Sequence, residues 1–310
     1  MTAPPTSPRL RLWHPNWPCD PFDIIRGLRR GAGDPAFQRD PDGTVWRVSQ
    51  TPEGPVTLRL TARPQLGEIE AEAWGSGTSW ALDQVPSLLG TDDDPTGFAP
   101  DHPTVRRAWE RNPHWRVMRT GLALEATVAA VIEQKVTGQE AFAGWRNLLR
   151  RHGHVAPGPG VQRRMRCLPT AGELAMIPSW AWLRCHIDPA RSRTVVRAAK
   201  VADALERTLD VPADEAERRL RSIPGIGEWT AAEVRQRAHG DADAVSFGDY
   251  HIATHIGWAL TGEPMTDEEL RVFLEPSRPH RYRVQHVVTT RVPGRPRRGP
   301  RMAPRTHLPV

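Results

Sequence analysis

Asp249 and its neighbours are where this sequence could do chemistry. The acid follows Phe247-Gly248, precedes Tyr250-His251, and stands 22 residues beyond Gly227, the last glycine of Pro224-Gly225-Ile226-Gly227. A carboxylate held beside a reacting centre can stabilise developing positive charge and orient an attacking water. The same residue, after a glycine and before Tyr-His-Ile, is also well placed as a helix N-cap. Residue type alone leaves both roles open. His251 and His255 lie four apart and could share one helix face toward a metal. No His-Glu-x-x-His pattern and no nearby cysteine accompanies them, so phosphate contact or plain helix surface is the expectation.

The elements around Asp249 must position it. Asp214 to Leu220 can form a short helix. Pro224-Gly225-Ile226-Gly227 cannot continue it, because proline lacks an amide proton and glycine readily takes positive φ. Trp229 to Arg237 then restarts a helix. At that restart several N–H groups lack carbonyl partners and carry a partial positive charge. Glycines let a phosphate approach the backbone closely. Pro224, Gly225, Ile226, Gly227 and Thr230 are thus candidates for holding a nucleic-acid backbone, a contact blind to base sequence. The alternative is an ordinary turn between packed helices. Apolar Leu220 and Ile223 ahead of the glycines, with Trp-Thr-Ala behind, favour the phosphate grip.

Ile223-Pro224-Gly225-Ile226-Gly227-x-Trp229-Thr230-Ala231, followed after a helix by Phe247-Gly248-Asp249-Tyr250, resembles the helix-hairpin-helix DNA glycosylase superfamily, and within it the bacterial 3-methyladenine DNA glycosylase II (AlkA-like) branch. The resemblance implies an α+β N-terminal domain, a small antiparallel sheet with helices, followed by an all-α helix-hairpin-helix glycosylase domain. It implies base excision repair by hydrolysis of the N-glycosidic bond of a damaged base, an alkylated purine, flipped out of double-stranded DNA. Asp249 takes the catalytic place. Trp229 and Tyr250 match base-pocket positions, where π faces suit cationic bases. Bifunctional relatives carry a lysine two residues after the last glycine. Here that residue is Trp229, which cannot form a Schiff base, so the resemblance implies a monofunctional enzyme.

Flipping a nucleotide leaves a gap that a side chain must fill. The family's plug follows a Gly-Gln pair, matched here by Glu133-Gln134-Lys135. Gln134 aligns, Glu133 replaces the glycine, and Lys135 replaces an apolar wedge. A lysine stem still fills space while its amine seeks a phosphate. In Glu275-Pro276-Ser277-Arg278, Ser277 stands where the family usually has tryptophan. These departures leave open the same scaffold acting on an oxidised or deaminated base. A non-catalytic DNA-binding protein is a further alternative, against which Asp249 speaks.

Composition fits these expectations. The 310 residues allow one large or two ordinary domains. No apolar run is long enough to span a bilayer and no signal-peptide pattern opens the chain. A cytoplasmic monomer is expected. The three cysteines, Cys19, Cys167 and Cys185, are scattered. They suggest neither a disulfide framework nor a zinc site. None follows Cys185, so the iron–sulfur loop of some family members is excluded. The expected cofactor is none, although family hairpins often hold a monovalent cation. The net charge of +6 is concentrated at one end: residues 291–310 hold six arginines and no acid, and the remainder balances 36 basic against 36 acidic residues. DNA affinity in the body then needs local patches, with the tail adding salt-sensitive, sequence-blind attraction.

Along the chain, residues 1–11 read as a flexible lead-in and 12–98 as the α+β domain. Thr44 to Val48 and Val56 to Leu60 alternate as paired strands around a turn at Thr51–Gly54, and Leu66 to Trp74 gives a third. A helix over Trp80 to Leu89 should be interrupted at Pro86. Thr91 to Gly97 is a polar breaker, read as a solvated loop at the domain boundary. Residues 99–290 then turn helical, with one helix spanning Ala190 to Leu209. Residues 291–310 read as a basic tail, disordered on its own.

Overall fold

The alternation in the first third of the chain is realised as a five-stranded antiparallel sheet. The computed structural model describes residues 7–294. Strand β1 (Arg9–Trp13) leads through a short helix α1 (Pro21–Ile25) to β2 (Phe37–Arg39), β3 (Val45–Thr51), β4 (Gly54–Arg63) and β5 (Glu68–Gly75), in the spatial order β1-β5-β4-β3-β2. Val48 pairs with Thr57 and Thr51 with Gly54, which sets the expected turn. Ile69, Ala71 and Ala73 share one buried face with Val56, Leu58 and Leu60. Helix α2 (Thr78–Leu88) covers that face with Val85 and Leu88.

Two expectations are corrected here. Arg9 to Trp13 is an edge strand rather than lead-in, with Arg9 opposite Ala73 and Trp13 opposite Ile69. Its alternation is inverted: Leu10 and Leu12 face solvent while Arg11 and Trp13 are partly covered. A strand that shows its leucines outward gives no usable pattern in sequence. Pro86, in turn, does not interrupt α2. A helical proline removes the hydrogen bond to the carbonyl four residues back, here Leu82, and that carbonyl accepts instead from Arg11 Nη1 at 2.9 Å.

The helical body follows as α3 (Pro103–Glu110), α4 (Ala123–Glu133) and α5 (Gly138–His152), then a two-stranded ribbon of β6 (His154–Val155) and β7 (Arg166–Cys167). Helices α6 (Ala171–Met176), α7 (Ser179–Arg184), α8 (Pro189–Lys200) and α9 (Ala202–Glu206) come next. The long helix expected over Ala190 to Leu209 is broken between α8 and α9, where Val201 leaves helical geometry at φ −119° and ψ 26°. Then come α10 (Ala213–Arg221), α11 (Glu228–Val234), α12 (Ile252–Thr261), α13 (Asp267–Leu274) and α14 (Arg281–Arg291). Thr137 with Glu140, Thr170 with Glu173 and Thr266 with Glu269 form reciprocal caps that fix where α5, α6 and α13 begin.

In the polar run after the sheet, Thr91, Asp92, Asp94, Thr96 and Gly97 are exposed, as a solvated loop requires, but Asp93 turns inward. Asp93 Oδ1 pairs with Arg283 Nη2 of α14 at 2.6 Å, and its Oδ2 accepts from the Val117 amide at 2.8 Å. The two side chains are 3% and 0% exposed. The sheet layer is also bound to the helices by charge. Arg30 Nε lies 2.6 Å from Glu133 Oε1, and Trp145 Nε1 donates to Asp34 Oδ1 at 2.9 Å. Arg291, read as the first residue of the tail, closes α14 and pairs with Asp23 at 2.5 Å. The rest of the Arg-rich segment, from residue 295, lies outside the described residues.

Helix α11 continues through a wider π-helical turn, Arg235–His239, and ends at Gly240 with φ 75°. Burial pushes the His239 imidazole down to about 4, and its Nε2 lies 2.9 Å from Thr208 Oγ1. A histidine held neutral by the fold binds its proton more readily when unfolded. Its contribution is therefore complete above the ordinary value near 6.5 and is lost as pH falls toward about 4. Urea midpoints of the wild type should fall over that window, and His239→Gln should flatten the fall.

Candidate nucleic-acid interface and active site

The hairpin forms where the residues require it. Helix α10 ends at Arg221, and Ile223 and Ile226 turn inward onto Leu220, Ala231 and Val234. Gly225 has φ +102°, and a Cβ there would lie 2.1 Å from Thr194 Oγ1, so both backbone and space demand glycine. Gly227 is different. Its φ is an ordinary −95°, and nothing lies within 4 Å of where a Cβ would stand. Its lack of a side chain keeps the approach to α11 open instead. No side chain caps α11, so its first-turn amides face outward. Gly225→Ala should lower stability by about 1–3 kcal/mol in denaturant unfolding. Gly227→Ala should leave stability unchanged within about 1 kcal/mol.

Among the expected backbone-contact residues, Pro224, Gly225 and Gly227 are exposed, whereas Ile226 and Thr230 are buried. The latter two support the hairpin from below and present no side chain to a ligand. Thr230 Oγ1 accepts from Gln134 Nε2 at 2.7 Å, and the same amide donates to Gly225 O at 2.9 Å. Gln134, expected to help fill the duplex gap, is instead a clamp on the hairpin. The exposed residue at this corner is Lys135, with φ 53°. Helix α4 ends at Glu133, because Gln134 adopts an extended ψ of 125° and Lys135 turns left-handed. Gln134→Ala removes both bonds from Gly225 and Thr230. It should cost about 1–3 kcal/mol in unfolding and weaken DNA binding, measured by anisotropy, with Lys135 intact.

Asp249 caps α12 with one oxygen and turns the other toward the hairpin. Oδ1 accepts from the amides of His251 and Ile252 at 2.8 and 3.1 Å, capping α12. Oδ2 faces the hairpin and accepts from Trp229 Nε1 at 3.3 Å. The carboxylate is half-buried, neither sealed in the core nor free in solvent. Gly248, at φ +86°, reverses the chain ahead of it, and its amide donates to Asp267 Oδ2 at 2.9 Å. Trp229 is half-buried beside the acid, but Tyr250 is 87% exposed. Tyr250 therefore walls no enclosed pocket in this state. Its ring rests edge-on against His251 at 4.8 Å. Ser277 is half-buried in the turn Glu275–Ser277, where Arg278 bridges Glu275 and Asp243.

A buried polar knot, missed in the sequence reading, ties α11 to the segment that leads into Asp249. Ser246 Oγ donates to Glu233 Oε1 at 2.6 Å and lies 2.8 Å from Gln236 Nε2 and 3.0 Å from Gln285 Nε2. Glu233 stands one helical turn after Trp229 and is 7% exposed. Its second oxygen lies 2.7 Å from Arg237 Nη1. Burial alone would lower the Arg237 pKa, but Glu233 and Glu133 outweigh it and hold the guanidinium charged. The sequence signal available was polar Glu233 and Gln236 on a helix whose neighbours are apolar.

A helix–glycine–helix hairpin faces a half-buried aspartate behind a small antiparallel sheet, and solved DNA glycosylases share this fold. The 3-methyladenine DNA glycosylase of Archaeoglobus fulgidus superposes with a TM-score of 0.76 at 17% identity, over 90% of this chain and 97% of that one. The 8-oxoguanine glycosylase/lyase of Clostridium acetobutylicum gives 0.66 at 12% identity, over 87% and 92%. In sequence, the chain is similar to the probable bifunctional transcriptional activator/DNA repair enzyme AlkA of Mycobacterium tuberculosis, at 28% identity over 288 residues, 87% of this chain and 54% of that protein. The resemblance to the AlkA-like branch read from the hairpin is thus shared by the whole body of the chain. The chain spans about half the length of the curated relatives it matches. No family model matches it.

Proposed function

We propose that this protein is a monofunctional DNA repair glycosylase, hydrolysing the N-glycosidic bond of a damaged base, an alkylated purine, flipped out of double-stranded DNA. The observation that carries the reading is Asp249 Oδ2, 3.3 Å from Trp229 Nε1 at the hairpin's exit. As the C–N bond breaks, the base leaves with the bonding pair and the sugar ring becomes positive. The carboxylate stabilises that charge and orients water toward the anomeric carbon, and the proton released from the water passes to solvent or to the departing base. The exposed hairpin glycines and the first amides of α11 hold the phosphates, Trp229 and the exposed Tyr250 ring stack on the base, and Lys135 fills the vacated space. Trp229 occupies the place of the lyase lysine, so the product is an intact strand bearing an abasic site.

The reaction needs no cofactor. A monovalent cation on the hairpin carbonyls fits only in part, because Ile223 O, Pro224 O and Gly225 O already accept from Ile226, Arg197 and Gln134. No step depends on it. No helix of the described residues is long and apolar enough to cross a membrane. We place the protein in the cytoplasm, acting as a monomer on DNA.

The test is a panel of duplexes containing 3-methyladenine, 7-methylguanine, hypoxanthine or 8-oxoguanine. Release of methylated purine, with strand breakage appearing only after alkali, is the expected result. Breakage without alkali would contradict the monofunctional reading, and release confined to 8-oxoguanine or hypoxanthine would contradict the alkylpurine one.

A further inference from the structure

One pocket lies away from Asp249. It has a volume of about 610 Å³ and lies between α8, α9 and the end of α10, abutting the hairpin at Ile223 and Pro224. Its interior is aliphatic: Val201, Ala204, Leu205 and Ile223 line it. Thr208, Ser222, Pro224 and four cations, Arg197, Lys200, Arg207 and Arg219, complete the lining, and no acid does. Arg219 is held by Glu215 at 2.5 Å and Arg197 donates to Pro224 O at 3.3 Å. Lys200 and Arg207 are exposed and have no acidic partner among the described residues. The pocket opens where the chain breaks at Val201, between α8 and α9.

We propose that this pocket docks an acidic segment of a partner protein that inserts an apolar side chain between α8 and α10. A continuation of the DNA path does not fit as well. Nucleic-acid backbones are held by cations and N–H groups and do not fill aliphatic volume. Single-stranded bases need aromatic platforms, and no aromatic residue lines this pocket. An apolar side chain fills the floor, while flanking carboxylates meet Lys200 and Arg207 at the rim, so shape and charge complement each other. A partner held here would sit beside the hairpin and be delivered to the same stretch of DNA. This inference goes beyond the proposed catalytic function and does not rest on it.

The experiment titrates the protein, without DNA, into a fluorescein-labelled peptide with an aspartate run followed by a phenylalanine, read by anisotropy. Two folded variants probe the two parts of the site: Ala204→Trp at an exposed position fills the floor, and Lys200→Glu with Arg207→Glu reverses the rim. Saturable binding by the wild type is expected, with affinity at least tenfold weaker for either variant and for a peptide with serine in place of phenylalanine. Undiminished binding to Ala204→Trp, or equal binding of the serine peptide, would overturn the proposal. So would displacement of the peptide by a short oligonucleotide as readily as by unlabelled peptide, which would reassign the pocket to DNA.

Discussion

Asp249→Asn lowers base release by about 10²–10⁴-fold while leaving the fold and DNA affinity in place. The two functions of the acid make the experiment clean. Asparagine is as good an N-cap as aspartate, so its side-chain oxygen still receives the His251 and Ile252 amides. What is lost is the negative charge that Oδ2 presents toward the hairpin side. Asp249→Ala should lose activity to a similar extent but also lower stability by about 1 kcal/mol, because the cap goes with it. Single-turnover release of methylated base, paired with urea unfolding of both variants, separates the two contributions. Equal activity in wild type and Asp249→Asn would remove the acid from the mechanism.

Asp93→Ala destabilises the protein by about 3–5 kcal/mol, the largest stability loss of the predicted substitutions. The reason is asymmetric. The ion pair offsets much of its own desolvation cost, but deleting the acid alone leaves the Arg283 guanidinium charged at 0% exposure. It also strips the Val117 amide of its acceptor. The double change Asp93→Ala with Arg283→Met removes both charges and should recover a large part of the loss, since an apolar replacement of a buried pair is often nearly neutral. Urea unfolding of the two variants measures this directly. A loss below about 1 kcal/mol for Asp93→Ala would mean that the pair behaves as a surface bridge.

The parts of the molecule that local chemistry dictates were legible in the sequence. Pro224-Gly225-Ile226-Gly227 had to end one helix and let another begin. Strands β3 and β4 followed from alternation and one glycine turn. Asp249 could be placed next to the hairpin only through the resemblance, since its cap geometry and its facing of Trp229 are both compatible with the same few residues. What stayed hidden depends on partners distant in sequence. Asp93 looks like any acid in a polar loop until Arg283 arrives from α14, 190 positions later. Gln134 reads as a helix-end residue until the hairpin supplies Gly225 O and Thr230 Oγ1. Strand β1 hides because its leucines face water and its arginine reaches back to a carbonyl that Pro86 leaves free. The pocket beside α9 opens at a helix break at Val201, a β-branched residue among several that do not break their helices.

The central claim is that one carboxylate beside the glycine hairpin stabilises positive charge on the sugar. Affinity for duplex DNA carrying a cationic pyrrolidine in place of the target nucleotide, against the same duplex with a neutral tetrahydrofuran, measures that stabilisation without turnover. The wild type should prefer the cationic site by at least tenfold, and Asp249→Asn should lose the preference while binding the neutral duplex as before. Equal affinity of the wild type for the two duplexes would contradict the account.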